Sequence, residues 1–188
     1  MNAYDVIVIG GGHAGVEAAY ASAKLGVNTA LITMTVDNIA QMSCNPAIGG
    51  IAKGQIVCEI DALGGIMGKT IDKTGIHFKI LNKKKGHAVY SPRAQADKKL
   101  YNIEMKYILE NTDNLDIIQD AVISIETKNN KVTGVITQRE TFYKSKAVIL
   151  CAGTFLNGRI HIGSVSFDSG RYGEFASLKL TESLTRLG

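Results

Sequence analysis

The chain has 188 residues, 45% of them hydrophobic and 20% charged, a balance that suits one globular core; no apolar run is long enough to predict a membrane-spanning helix. Its net charge of +4 admits an anionic partner without demanding one. Cys44, Cys58 and Cys151 form no CxxC or Cys/His spacing, which predicts reduced thiols in a cytosolic protein and no metal site.

Residues 4–9, Tyr-Asp-Val-Ile-Val-Ile, read as a buried parallel strand ending in glycines. The stretch is no signal peptide, since it carries Asp5 and no basic lead. Residues 14–25 read as a helix with Ala14, Ala18, Ala21 and Leu25 on its inner face, stopped by Gly26. Residues 27–33 read as a second strand, completing a βαβ unit.

Between strand and helix stands Gly10-Gly11-Gly12-His13-Ala14-Gly15. Gly10 lets the chain turn off the strand, Gly12 leaves bare backbone for a pyrophosphate, and Gly15 lets the helix pack closely. The helix N-terminus adds free N–H groups and a positive dipole end. GxGxxG alone is a weak signal; its place between strand and helix makes it a dinucleotide turn rather than a structural one. The second strand lacks its usual terminal carboxylate for the ribose: it ends Leu31-Ile32-Thr33-Met34, and the next acid is Asp37. Thr33 offers a weaker bond.

Residues 34–91 are glycine-rich and too long for an ordinary connection, so they read as a functional insertion. A helix over 55–63 and a strand over 76–81 are predicted within it, with Glu59 and Asp61 facing solvent. Lys79, Lys83, Lys84, Lys85, Arg93, Lys98 and Lys99 form the densest basic stretch. Phosphate contacts and a solvated charged face are both open readings. Cys44, before Asn45-Pro46, is either a reactive thiol or a small packing residue. Cys58 and Cys151 lie in apolar segments and read as structural. His13 matters through its backbone, and His77, His87 and His161 show no ligand spacing.

A helix is predicted from Pro92 to Asn111 with Ala96, Leu100, Ile103 and Tyr107 facing inward. Residues 115–119 read as a strand. Three short strands over 122–127, 132–138 and 141–143 form a meander within 122–146. Residues 147–151 read as a second parallel strand, ended by Ala152-Gly153. A glycine- and serine-rich tract follows to Gly170, and a closing helix over 178–187 shows no evident packing partner, so the chain reads as truncated. The class is α/β: a Rossmann-like parallel sheet with an antiparallel meander and a glycine-rich insertion. A meander followed by a returning strand is the order of two-domain flavoproteins, which favours FAD over NAD by fold-level analogy.

The turn at residues 10–15, Gln41-Met42-Ser43-Cys44-Asn45-Pro46-Ala47-Ile48-Gly49-Gly50, Arg93-Ala94-Gln95-Ala96-Asp97 and Gly153-Thr154-Phe155-Leu156-Asn157-Gly158 resemble the MnmG family, also called GidA. The resemblance covers essentially the whole chain, and the Ser-Cys-Asn-Pro block is its most specific part. It implies the N-terminal portion of a longer FAD-dependent enzyme that builds the carboxymethylaminomethyl group on the wobble uridine of tRNA. It also implies NAD(P)H and methylenetetrahydrofolate as cosubstrates, a homodimer, and an MnmE-type GTPase partner. By position, FAD would be held by Gly10, Gly11, Gly12, His13, Ala14 and Gly15, by Val122 at the adenine and by Ser177 at the flavin side. Cys44 would attack C6 of the uracil or assist near the flavin, and Lys83, Lys84, Lys85 and Arg93 would contact tRNA. Lys84-Lys85-Gly86-His87-Ala88-Val89 departs from the family's usual Ser-Lys-Gly-Pro-Ala-Val. Two alternatives remain open: a folate- and FAD-dependent tRNA uridine methyltransferase, and a nucleotide-binding module without catalysis.

Overall fold

The computed structural model describes residues 3–187. The chain opens with β1 (Ala3–Ile9), α1 (His13–Lys24) and β2 (Thr29–Thr33). β1 and β2 are parallel, with Val6 beside Thr29 and Ile9 beside Ile32. Parallel neighbours need a crossover, and α1 supplies it. The inner face of α1 differs from the expected one. Gly15, Val16, Ala19 and Ala23 are buried, while Leu25 is 82% exposed. An alanine-rich helix carries two similar stripes, and the close approach of Gly15 to the preceding turn selects between them.

The insertion holds β3 (Ala47–Gly49), α2 (Lys53–Ala62), α3 (Met67–Thr74), β4 (Gly75–Leu81) and β5 (Ser91–Ala96). The strands form an antiparallel sheet in the order β3-β5-β4. The predicted helix and the predicted strand 76–81 are both present, and Glu59 and Asp61 are exposed. The helix does not start at Pro92. Residues 91–96 are strand, and the helix is α4 (Lys98–Glu110), capped by Asp97, whose Oδ1 accepts from the Lys99 and Leu100 N–H groups at 3.0 and 2.9 Å. That cap fixes the helix start. Tyr101, Met105 and Leu109 turn inward, and Leu100, Ile103 and Tyr107 face out.

The remaining strands are β6 (Leu115–Gln119), β7 (Val122–Lys128), β8 (Lys131–Thr137) and β9 (Phe142–Leu150). They join the first two in a six-stranded sheet ordered β6-β2-β1-β9-β8-β7. The two strands expected over 141–151 are one. β9 begins antiparallel to β8 and continues parallel to β1 as far as Leu150 beside Ile9. Lys144-Ser145-Lys146 reads as a polar break, yet Ser145 is buried and its hydroxyl donates to the Ala147 carbonyl at 2.7 Å.

The glycine- and serine-rich tract after β9, for which no element is predicted from the sequence, contains the hairpin β10 (Arg159–Ile162) and β11 (Val165–Asp168). The last element, α5 (Leu178–Leu187), has a partner that the sequence does not show: it packs on β7. Leu180 is 1% exposed, and the Ser183 hydroxyl accepts the Ile125 N–H at 3.0 Å. Two apolar cores result. One lies between the sheet, α1, α4 and the insertion; the other lies between the sheet and α5.

Candidate dinucleotide site

The direction of the sheet order reverses at β1, with β2 and β6 on one side and β9 on the other. In open α/β sheets the crevice outside the strand ends at such a point is the binding position. Here it is lined by Gly10 to His13, by Thr33 to Thr35 after β2, by Asp120 to Val122 after β6, and by Cys151 to Gly153 after β9. Arg171, Ser177 and Leu180 close its far side.

Three glycines of the turn are needed for three different reasons. Gly10 has φ +106°, and a Cβ there would lie 2.5 Å from the Cys151 carbonyl oxygen. A Cβ on Gly15 would lie 1.8 Å from the Gly10 oxygen, so α1 sits hard against the turn. Gly12 is the opposite: its backbone is extended and a Cβ would meet nothing within 4 Å. Bare backbone therefore faces open space where a phosphate would approach. No side chain caps α1, and its first ladder bond runs from the Val16 N–H to the Gly12 oxygen at 3.0 Å. The amides ahead of Val16 are the free donors of a helix N-terminus, at the positive end of its dipole. These residues fit a pyrophosphate. Ala14 and Gly15 do not line the crevice; Gly15 shapes it from behind.

His13 contributes more than backbone. His13 lines the crevice, its ring lies edge-on to the buried Tyr101 with centroids 6.0 Å apart, and its Nδ1 is buried with no hydrogen-bond partner among the described residues. Burial pushes its pKa below the usual value, helped by the charges of Lys53 and Arg171. The ring is thus neutral at pH 7. As pH falls below about 6.5, the unfolded chain binds a proton that the folded chain resists. The associated stability is complete above that pH and is lost below it. We predict that His13→Gln shows a smaller fall in melting temperature between about pH 7 and about pH 5 than the parent chain. An equal fall in both would contradict this assignment.

Sequence periodicity misses two other wall residues. Arg171 donates to the Gln41 side chain, pairs with Glu174 at 3.0 Å and lies 5.5 Å from the Phe155 ring centre. It ties the segment after β11 to the insertion. Asp120, 8% exposed, stands at the end of β6. Arg171 lies in a tract without periodicity, and Asp120 reads as an ordinary turn residue.

The other expected residues separate into groups. Val122 and Ser177 line the crevice with Gly10 to His13. The Ser177 N–H donates to the Phe155 oxygen at 2.8 Å, and its carbonyl accepts from Asn157 at 3.3 Å, so its backbone serves the fold. Asp37 does not line the crevice, and its carboxylate lies 2.8 Å from Lys106. Cys44 is exposed, which removes the packing reading; its neighbour Ser43 lines the crevice. Cys58 is exposed on α2 and is no core thiol, contrary to expectation. Cys151 is half-buried in the crevice wall, where burial raises its pKa. Lys83, Lys84 and Lys85 are exposed beyond β4, and Arg93 is half-buried opposite Lys79. None of these cations is in an ion pair among the described residues. Among the described residues no group of His, Cys, Asp or Glu is placed to hold a metal, and no helix is long and apolar enough to cross a membrane.

The switch-point crevice, the glycine turn and the parallel sheet define a dinucleotide-binding α/β protein of the Rossmann type. The chain belongs to the family described as Glucose inhibited division protein A, which matches residues 5–188. It is 60% identical over 185 residues to the tRNA uridine 5-carboxymethylaminomethyl modification enzyme MnmG of Thermodesulfovibrio yellowstonii, covering 98% of this chain and 30% of that protein. The crystal structure of Aquifex aeolicus GidA superimposes with a TM-score of 0.95 at 57% identity, covering 98% of this chain and 31% of that one. A GidA-related protein from Thermus thermophilus shares the fold at 24% identity and a TM-score of 0.72, covering 98% of this chain and 68% of that one. The chain thus spans about 30% of the length of the curated relatives it matches.

Proposed function

We propose that this chain is the FAD-binding part of a tRNA-modifying flavoenzyme that builds the carboxymethylaminomethyl group at C5 of the wobble uridine. The observation that carries the cofactor is Gly12: bare backbone at an uncapped helix start, facing open space at the switch point. The tRNA reading rests on the named relatives at 60% and 57% identity. That identity favours it over a folate- and FAD-dependent methyltransferase and over a module without catalysis.

In this reading Gly10 to Gly15 form the pyrophosphate cradle, the Val122 backbone meets the adenine, and Ser177 stands toward the flavin. When bound, FAD supplies hydride-transfer chemistry, and the protein supplies binding, orientation and exclusion of water. NAD(P)H and methylenetetrahydrofolate are the proposed sources of hydride and carbon. The full-length protein acts as a homodimer with an MnmE-type GTPase in the cytoplasm. Lys83, Lys84, Lys85 and Arg93 offer unpaired cations to tRNA phosphates.

Cys44 is the proposed nucleophile. Its thiolate would add to C6 of the uracil and push the electron pair to C5, where the new carbon bond forms; loss of the C5 proton would then restore the ring double bond and expel the thiolate from C6. The full-length protein, purified yellow, is expected to lose flavin absorbance on addition of NADH. Cys44→Ser in that protein should keep its flavin and lose about hundredfold or more of the tRNA modification rate. A colourless protein that FAD cannot reconstitute would end the flavoenzyme reading; an unchanged rate in Cys44→Ser would end the nucleophile role.

A further inference from the structure

The turn between β6 and β7 brings a buried carboxylate to the crevice from an unexpected strand. β2 ends in Thr33, where a carboxylate ordinarily stands. The Thr33 carbonyl accepts the Asp120 N–H at 3.0 Å, so the end of β6 is tied to the end of β2. The Asp120 side chain is 6% exposed. Its Oδ1 accepts the Ala121 N–H at 2.8 Å, and its Oδ2 lies 3.6 Å from Nε of Arg139. Arg139 also donates to the Gln119 carbonyl at 2.5 Å. The Ala121 carbonyl accepts the Gln138 N–H at 2.7 Å. Both polar groups of Ala121 are therefore taken, one by Asp120 and one by the start of the β8–β9 turn. The next residue, Val122, is 4% exposed and lies on the crevice wall.

We propose that Asp120 is a positioning residue for the adenosine half of the dinucleotide: its carboxylate clamps the Ala121 amide and so fixes the Val122 backbone against which the base is laid. The inference rests on the FAD reading. It replaces the missing carboxylate of β2 with one from β6 that acts through the backbone. Arg139 holds the second oxygen and keeps the carboxylate turned toward Ala121. Without the Asp120 carboxylate the half-buried Ala121 N–H loses its acceptor, and the segment that faces the adenine loses its fixed geometry.

The test compares FAD with FMN, which lacks the adenylate half, in equilibrium titrations of the chain and its variants. Asp120→Ala is expected to weaken FAD binding about tenfold and to leave FMN binding within about twofold of the parent. Asp120→Asn keeps an oxygen acceptor for Ala121 and is expected to restore FAD affinity to within about threefold. Asp120→Ala with parental FAD affinity overturns the proposal, as does an equal loss of FAD and FMN, which marks a purely structural role. A parent chain that binds FAD no better than FMN removes the cofactor reading itself, and this proposal with it.

Discussion

Gly15→Val is expected to abolish FAD binding and to destabilise the chain by about 3 kcal/mol. The cause is steric: a Cβ at this position would lie 1.8 Å from the Gly10 carbonyl oxygen, a backbone atom that cannot move aside as a side-chain tip would. Either α1 lifts off β1 or the turn opens, and both disrupt the core around Val8, Val16 and Ala19. The melting temperature should fall by roughly 6–12 °C. Gly12→Ala, three residues away, separates binding from folding. Its methyl enters open space, so stability should change by less than about 1 kcal/mol, while FAD affinity falls about tenfold or more. Thermal melts and FAD titrations of the two variants check both halves. A Gly15→Val chain as stable as its parent would contradict the close packing, and a Gly12→Ala chain with parental affinity would contradict the cradle.

The second large effect is expected at Leu180. This residue is 1% exposed and belongs to the core with Ile7, Ile9, Ile32, Val122, Ile125 and Val135. Leu180→Ala removes buried methyl groups and leaves a cavity against the sheet, at a cost of about 3 kcal/mol. The melting temperature should fall by roughly 6–12 °C, as for Gly15→Val. Because Leu180 also lines the crevice, FAD should recover part of the lost stability by binding the folded state. A variant that melts with the parent would show that α5 is not held as described.

The sequence read most clearly where pattern and chemistry coincide. The strand at residues 4–9, the glycine turn and the helix after it announce one another, and all three stand in the structure. Helix orientation was less legible. α1 and α4 each carry two apolar or small-residue stripes, and the inward one is selected by Gly15 against Gly10 and by the Asp97 cap. Such selection depends on contacts at the helix start, which periodicity does not encode. Pro92 looked like a helix start because proline suits that position. It lies in β5 instead, where its carbonyl accepts the Gly50 N–H at 2.9 Å. β9 looked like two strands because its polar middle falls where it passes from one partner to another.

The crevice followed the same division. Gly10 to His13 were legible because backbone chemistry dictates glycine there. Asp120 and Arg171 were not, because each reaches the crevice from a distant part of the chain. Asp120 arrives through the pairing of β6 with β2, and Arg171 through its bond to Gln41. The Ala14 and Gly15 positions show a further limit. A motif marks them with the others, yet they lie outside the lining and serve the packing that creates it.

In the proposed reading the Gly10–Gly15 turn cradles the pyrophosphate of FAD. An equilibrium titration of FAD into this 188-residue chain, beside its Gly12→Ala variant, tests it most directly. Saturable one-to-one binding is expected, weaker by about tenfold or more in the variant. Binding of equal strength in the two chains, or none in the parent, would contradict it.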